Sequence, residues 1–171
     1  EAHEKVVVLL NFPNNPTGYM PTEDESRRIT EALVRQAERG TRVLAVLDDA
    51  YFGLFYHLGR ESATQSIFAY VANAHPNLLA VRLDGATKEL FVWGLRCGFL
   101  TFAPGRAETA AEVCEVLEAK VKGAIRSAIS NVPQLSQSLV SRALASPSID
   151  AERAQKTMVL RARAEKVYEV A

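Results

Sequence analysis

Three short apolar runs constrain this chain more than any other feature of its sequence: Lys5–Asn11 (KVVVLLN), Arg42–Asp48 (RVLAVLD) and Leu78–Asp84 (LLAVRLD). A continuous, branched-residue run of this length, closed by polar or turn-forming residues, predicts a strand buried on both faces, the kind found in parallel sheets. Helical patterns separate the runs. Thr22–Arg39 follows Pro21, carries Thr22 and Glu25 at capping-box spacing, places Ile29, Leu33 and Ala37 on an inner face, and closes at Gly40. A second helix is expected around Ser62–Ala74. Strand, helix, strand, helix, strand argues for right-handed βαβ crossovers, with ligands just beyond the carboxyl ends of the strands. The expected fold is therefore α/β, with three layers formed by a mainly parallel sheet flanked by helices; Gly98–Phe102 offers a further strand.

After Pro104 the pattern becomes helical, over Glu108–Ile129, Pro133–Ala145 and Asp150–Val170, broken chiefly at Ser146-Pro147-Ser148. A length of 171 residues suits one domain, with the strands in residues 5–104 and a helical C-terminal half in residues 105–171. The chain begins at Glu1 and reaches Ala171 inside a helical pattern, so a piece of something longer is the expectation.

Lys plus Arg and Asp plus Glu each number 20, so no net field draws nucleic acid or an anionic membrane surface. Cys97 and Cys114 lie far from any Cys or His at metal-ligand spacing, and neither a metal site nor a disulfide framework is expected. With no signal-like start and no apolar run long enough to span a bilayer, a soluble cytoplasmic protein working on small molecules is the expectation.

Polar clusters stand at the ends of the three runs: Asn11–Gly18 (NFPNNPTG), Asp48–Tyr51 (DDAY) and Asp84–Lys88 (DGATK). One such cluster is ordinary turn chemistry. Their repetition at successive strand ends is better explained by a ligand edge. Together they offer what an electron-sink cofactor needs: an amine in Lys88, a carboxylate in Asp48, a phenol in Tyr51 and a guanidinium fork for phosphate in Arg96. An exposed lysine, with a pKa of about 10.4, is almost wholly protonated, so a nucleophilic one needs burial, a nearby cation or covalent capture.

The run DGATKELFVWGLRCGF has a lysine followed by Gly94-Leu95-Arg96-Cys97-Gly98, a Gly-x-Arg-x-Gly pattern. It resembles the Schiff-base segment of fold-type I, pyridoxal-phosphate-dependent aminotransferases, and NNPTG at Asn14–Gly18 and Asp-x-Ala-Tyr at Asp48–Tyr51 resemble that family's companion motifs in the same chain order. The resemblance implies that Lys88 forms the Schiff base and then shuttles a proton. It implies that Asp48 pairs with the pyridinium, that Tyr51 and Asn15 hydrogen-bond the ring oxygen with Asn15 also near the substrate carboxylate, and that Arg96 binds the phosphate. Gly85 stands where many members carry a hydroxyl, so Thr87 or a backbone amide would complete the phosphate contacts.

The implied reaction moves an amino group between an amino acid and a 2-oxo acid, in a homodimer when full length. Rivals are a lyase or decarboxylase reaction on the same scaffold, the sensor domain of an aminotransferase-like regulator, and an inactive fragment. The resemblance makes the chain the central part of a large cofactor-binding domain, outside which lie a leading segment and a trailing small domain. Trp93, Phe91 and Phe99 read as core; Tyr19, His3, His57 and His75 read as structural; Asp49 should face away from Asp48.

Overall fold

Where the apolar runs predicted strands, a computed structural model, which describes residues 4–58 and 61–170, has them: β1 (Lys5–Asn11), β2 (Arg42–Asp48) and β3 (Leu78–Gly85). They pair in parallel in chain order, and β4 (Gly98–Ala103) adds to the free edge of β3 antiparallel, giving one sheet ordered β1-β2-β3-β4. The register sets Asn11 beside Asp48 and Asp48 beside Leu83, so the strands end level. His3 and Ala171 lie outside the described residues.

The helix α1 (Glu23–Glu38) forms as its cap predicts. The Thr22 hydroxyl accepts from the Glu25 amide at 3.2 Å and the Glu25 carboxylate accepts from the Thr22 amide at 2.8 Å, satisfying two of the donors that a helix start leaves free. Its face packs Leu33 and Ala37 against Val43, Ala45, Leu47, Leu78 and Ala80, with Ile29 partly buried beside them. Alanine at 37, 45 and 80, each without exposed surface, lets the helix approach the strands closely. Leu47 and Leu78 are the largest fully buried apolar side chains of this layer, each worth roughly 1.5–3 kcal/mol relative to exposure.

Two expectations are corrected. The helix expected over Ser62–Ala74 is a single turn, α2 (Phe68–Val71). Its anticipated first half spends its amides elsewhere: Ser62 donates to His57 Nδ1 at 3.0 Å and Ala63 to the Pro21 carbonyl at 2.8 Å, and Asn73, at φ +58°, follows the turn. Nor is β1 buried on both faces, because Val7 and Leu9 are 58% and 65% exposed. It is an edge strand, and α1 and α2 cover only the face bearing Val8 and Leu10. Leu83 and Leu100 are exposed as well, leaving apolar side chains in view on several strands.

A one-turn helix not anticipated from the sequence, α3 (Ala86–Glu89), follows β3 directly and carries Lys88. The C-terminal half is helical as expected: a 3₁₀ turn at Ala107–Thr109, then α4 (Ala110–Ala128), α5 (Gln134–Leu144) and α6 (Ile149–Val170). Val140 of α5 is buried, and Arg153 of α6 pairs with Glu89 of α3 at 2.6 Å. Among the described residues no helix is long and apolar enough to cross a membrane.

Candidate functional site

Each parallel strand delivers one polar segment to the same end of the sheet. After β1 the chain folds back on itself: the Asn14 amide donates to the Tyr19 carbonyl at 2.9 Å and the Gly18 amide to the Asn14 carbonyl at 2.7 Å. Gly18 makes this reversal at φ +70°, where a side chain is strained. The Asn14 carboxamide oxygen accepts from the Thr17 hydroxyl at 2.6 Å, which holds the segment in shape.

Asn11, not singled out from the sequence as a site residue, organises this corner. Its carboxamide oxygen accepts from the Asn15 amide at 2.9 Å and from Asn14 Nδ2 at 3.2 Å, while its own Nδ2 donates to the Asp48 carbonyl at 3.2 Å. One side chain thereby ties the NNPTG segment to the end of β2. A strand that ends in asparagine was the available sequence signal.

At the end of β2, Asp48 accepts from the Ala50 amide at 3.2 Å and lines a cleft of about 430 Å³ together with Gly85, Thr87, Lys88, Arg96 and Cys97. Five of the seven residues expected at the site thus line one cleft. The other two lie beside it: the Lys88 ammonium stands 4.9 Å from the centroid of the Tyr51 ring, and the Tyr51 hydroxyl accepts from Asn15 Nδ2 at 3.5 Å. A cation over an aromatic face at this distance is attracted by the ring quadrupole.

Among the described residues no carboxylate lies within ion-pair distance of Lys88 or Arg96. Arg96 is exposed, sits at φ +48°, and donates to the Trp93 carbonyl at 3.4 Å. Phe91 shares this left-handed conformation at φ +56°. Two non-glycine residues held there within one short connection mark a segment whose shape is dictated by its surroundings. The Gly85 amide is engaged by Asp84 Oδ1 at 2.9 Å.

Asp49 turns away from Asp48, as expected, and is 4% exposed. Arg82 donates to it at 2.6 Å and pairs with Asp84 at 2.9 Å. Burial raises the Asp49 pKa, partly offset by hydrogen bonding from Ser66 and by Arg82. The aromatics near Lys88 depart from expectation: Trp93 is 61% exposed and Phe99 is also exposed, because the connection after α3 runs over the surface and β4 is an edge strand. His57 accepts from Ser62 and packs edge-on against Phe55, His75 accepts from the Asn77 amide, and Tyr19 packs on Phe12.

Comparison with known proteins draws these features together. The family model for aminotransferases of class I and II matches residues 1–170. A histidinol-phosphate aminotransferase from Chlorobium phaeovibrioides is 32% identical over 108 residues, covering 63% of this chain and 24% of that protein. The crystal structure of an aminotransferase from Anaerococcus prevotii superposes with a TM-score of 0.75 at 23% identity, covering 96% of this chain and 39% of the other. An aromatic-amino-acid aminotransferase from Burkholderia pseudomallei, solved covalently bound to pyridoxal phosphate, gives a TM-score of 0.68 at 25% identity, covering 93% and 37%. The chain therefore spans about a quarter to two fifths of the length of these relatives.

Proposed function

The chain belongs to the class I and II aminotransferases, and from that premise we propose that it forms the part of a pyridoxal-phosphate enzyme that holds the cofactor for amino-group transfer between an amino acid and a 2-oxo acid. The observation that carries this reading is the single cleft lined by Lys88, Asp48 and Arg96, with the Tyr51 ring 4.9 Å from the Lys88 ammonium.

The donor set fits the cofactor. Lys88 and Arg96 are two cations without a carboxylate partner among the described residues, and Asp48 has an acceptor oxygen beyond the one that the Ala50 amide uses. Two cations, one carboxylate and a phenol match a phosphate dianion, a pyridinium and a ring oxygen. When bound, pyridoxal phosphate supplies an electron-poor ring that accepts the electron pair left as a substrate α-proton departs.

This chain's residues would do the rest. Lys88 would hold the cofactor covalently through its ε-amine and, once displaced by the substrate amine, carry the proton from the substrate α-carbon on Nζ. The Asp48 carboxylate would keep the ring nitrogen protonated by opposing its charge. Tyr51 and Asn15, already within 3.5 Å of one another, would converge on the ring oxygen, and Asn15 would also meet the substrate carboxylate. Arg96 would take the phosphate as a bidentate fork. The Thr87 hydroxyl would join it, since the Gly85 amide is spent on Asp84, and Gly85, with Gly98 one of two glycines in the lining, would leave room. The full-length protein would work as a cytoplasmic homodimer.

The test uses the full-length protein with added pyridoxal phosphate. A borohydride-reducible absorbance band that maps to the Lys88 peptide and vanishes in Lys88→Ala is the expected result, followed by transfer of labelled nitrogen from an amino acid to a 2-oxo acid. A band that survives in Lys88→Ala would place the cofactor elsewhere; a band without nitrogen transfer would point to another reaction of the same cofactor.

A further inference from the structure

One side chain that does not line the cleft joins the two segments that do. Arg82, on β3, donates from Nε to Asp49 Oδ2 at 2.6 Å and forms an ion pair through a terminal nitrogen with Asp84 Oδ2 at 2.9 Å, and its guanidinium carbon lies 5.5 Å from the Phe52 ring centroid. Each partner is a neighbour of a site residue: Asp49 follows Asp48, Phe52 follows Tyr51, and Asp84 begins the DGATK segment that ends in Lys88. Asp84 also receives the Gly85 amide at 2.9 Å, at the point where β3 gives way to α3. The Asp49 amide, in turn, donates to the Leu83 carbonyl at 2.9 Å.

The electrostatics make this connection hard to relax. Asp49 and Asp84 carry like charge, and Asp49 is almost wholly buried. Without the guanidinium they would repel, and Asp49 would lose a charged partner away from water. A guanidinium is planar and spreads its charge over fixed positions, so a hydrogen bond to Asp49 together with an ion pair to Asp84 also limits the distance between the two carboxylates. A lysine at the same place would offer only a point charge.

Lys88, by contrast, has little else to fix it. Asp48, Asp84, Arg96 and Cys97 line its cleft, and Glu89 beside it is held by Arg153. No carboxylate among the described residues is within ion-pair distance of its ammonium, so its defined contact is the Tyr51 ring. That contact joins the same two segments that Arg82 joins. On the reading of the site given above, we infer that Arg82 is a positioning residue, holding the Asp48–Tyr51 and Gly85–Lys88 segments at the separation that sets the Lys88 amine over the Tyr51 ring.

The test needs no cofactor. Full-length apo-protein is acetylated with limiting acetic anhydride across a pH series, and modification of Lys88 is followed by peptide mass spectrometry in the parent, the charge-preserving Arg82→Lys, Tyr51→Leu and the double variant. Losing the ring face leaves the amine less held, so the fraction of Lys88 acetylated at a given pH should rise by roughly threefold in either single variant. Because both act through one contact, the double variant should match Tyr51→Leu alone.

An unchanged profile in folded Arg82→Lys, or two increases that multiply, would overturn the inference. Where Arg82→Lys does not fold, Asp84→Asn, which leaves the Arg82–Asp49 pair intact, takes its place in the same cycle: a charge effect of its own adds to that of Tyr51→Leu, whereas lost placement does not. A parent protein that never forms the reducible cofactor band sinks the proposed function instead, and the acetylation profiles are read independently of it.

Discussion

The carboxyl of Asp49 shows how position outweighs residue type. Asp48 and Asp49 are adjacent and chemically identical, yet strand alternation turns one into the cleft and the other into the packed layer beside Ser66 and Arg82. Burial raises the folded-state pKa of Asp49 above the ordinary carboxylate value of about 3.9. The unfolded chain therefore releases this proton first as pH rises. The contribution to stability is complete below about pH 3.9 and is lost as pH climbs through the raised value. Denaturant titrations at a series of pH values should show Asp49→Asn gaining on the parent as pH rises from about 4. A difference that stays constant over that range would mean that the carboxyl is not shifted.

At the scale of elements, the helix that backs the site depends on its cap. The reciprocal bonds between Thr22 and Glu25 satisfy donors that would otherwise face the loop leaving the NNPTG segment. Thr22→Ala should cost about 1 kcal/mol, read as a lower denaturation midpoint with an unchanged slope. The connection from β4 into the C-terminal helices is set in another way. At Gly105 an added Cβ would stand 1.8 Å from the His75 carbonyl oxygen, so only glycine fits where that backbone crosses the start of β3. The short α2 shows the reverse case: bonds from the Ser62 and Ala63 amides to His57 and Pro21 tie the residues that precede it to other segments.

At the scale of the whole molecule, the sheet is covered unevenly. α1 and α2 pack on one face of the sheet, whereas Val7, Leu9, Leu83 and Leu100 remain exposed. Apolar surface of this kind drives association. The 171-residue chain by itself should bind a hydrophobic dye and elute larger than a monomer, and Val7→Lys with Leu9→Lys should shift it toward monomer while moving the melting temperature by no more than a few degrees. Elution unchanged by the two lysines would place the association elsewhere.

Much of this was legible in the residues alone. A branched apolar run favours an extended chain packed on at least one face, so β1, β2 and β3 and their polar ends follow from local composition, as does α1 from its cap and its inner face. The order of the three motifs along the chain was equally plain, and so was the family they resemble. What needed the tertiary structure is every meeting between strands. Register decides that Asn11 reaches the Asp48 carbonyl and that Arg82 lies between Asp49 and Asp84, and between strands far apart in the chain a register is fixed only as they pair and bury a shared face. Exposure of β1 was hidden for the same reason: a run of valines and leucines reads alike at an edge and at the centre of a sheet, and only the neighbours that pack on it decide which face stays open.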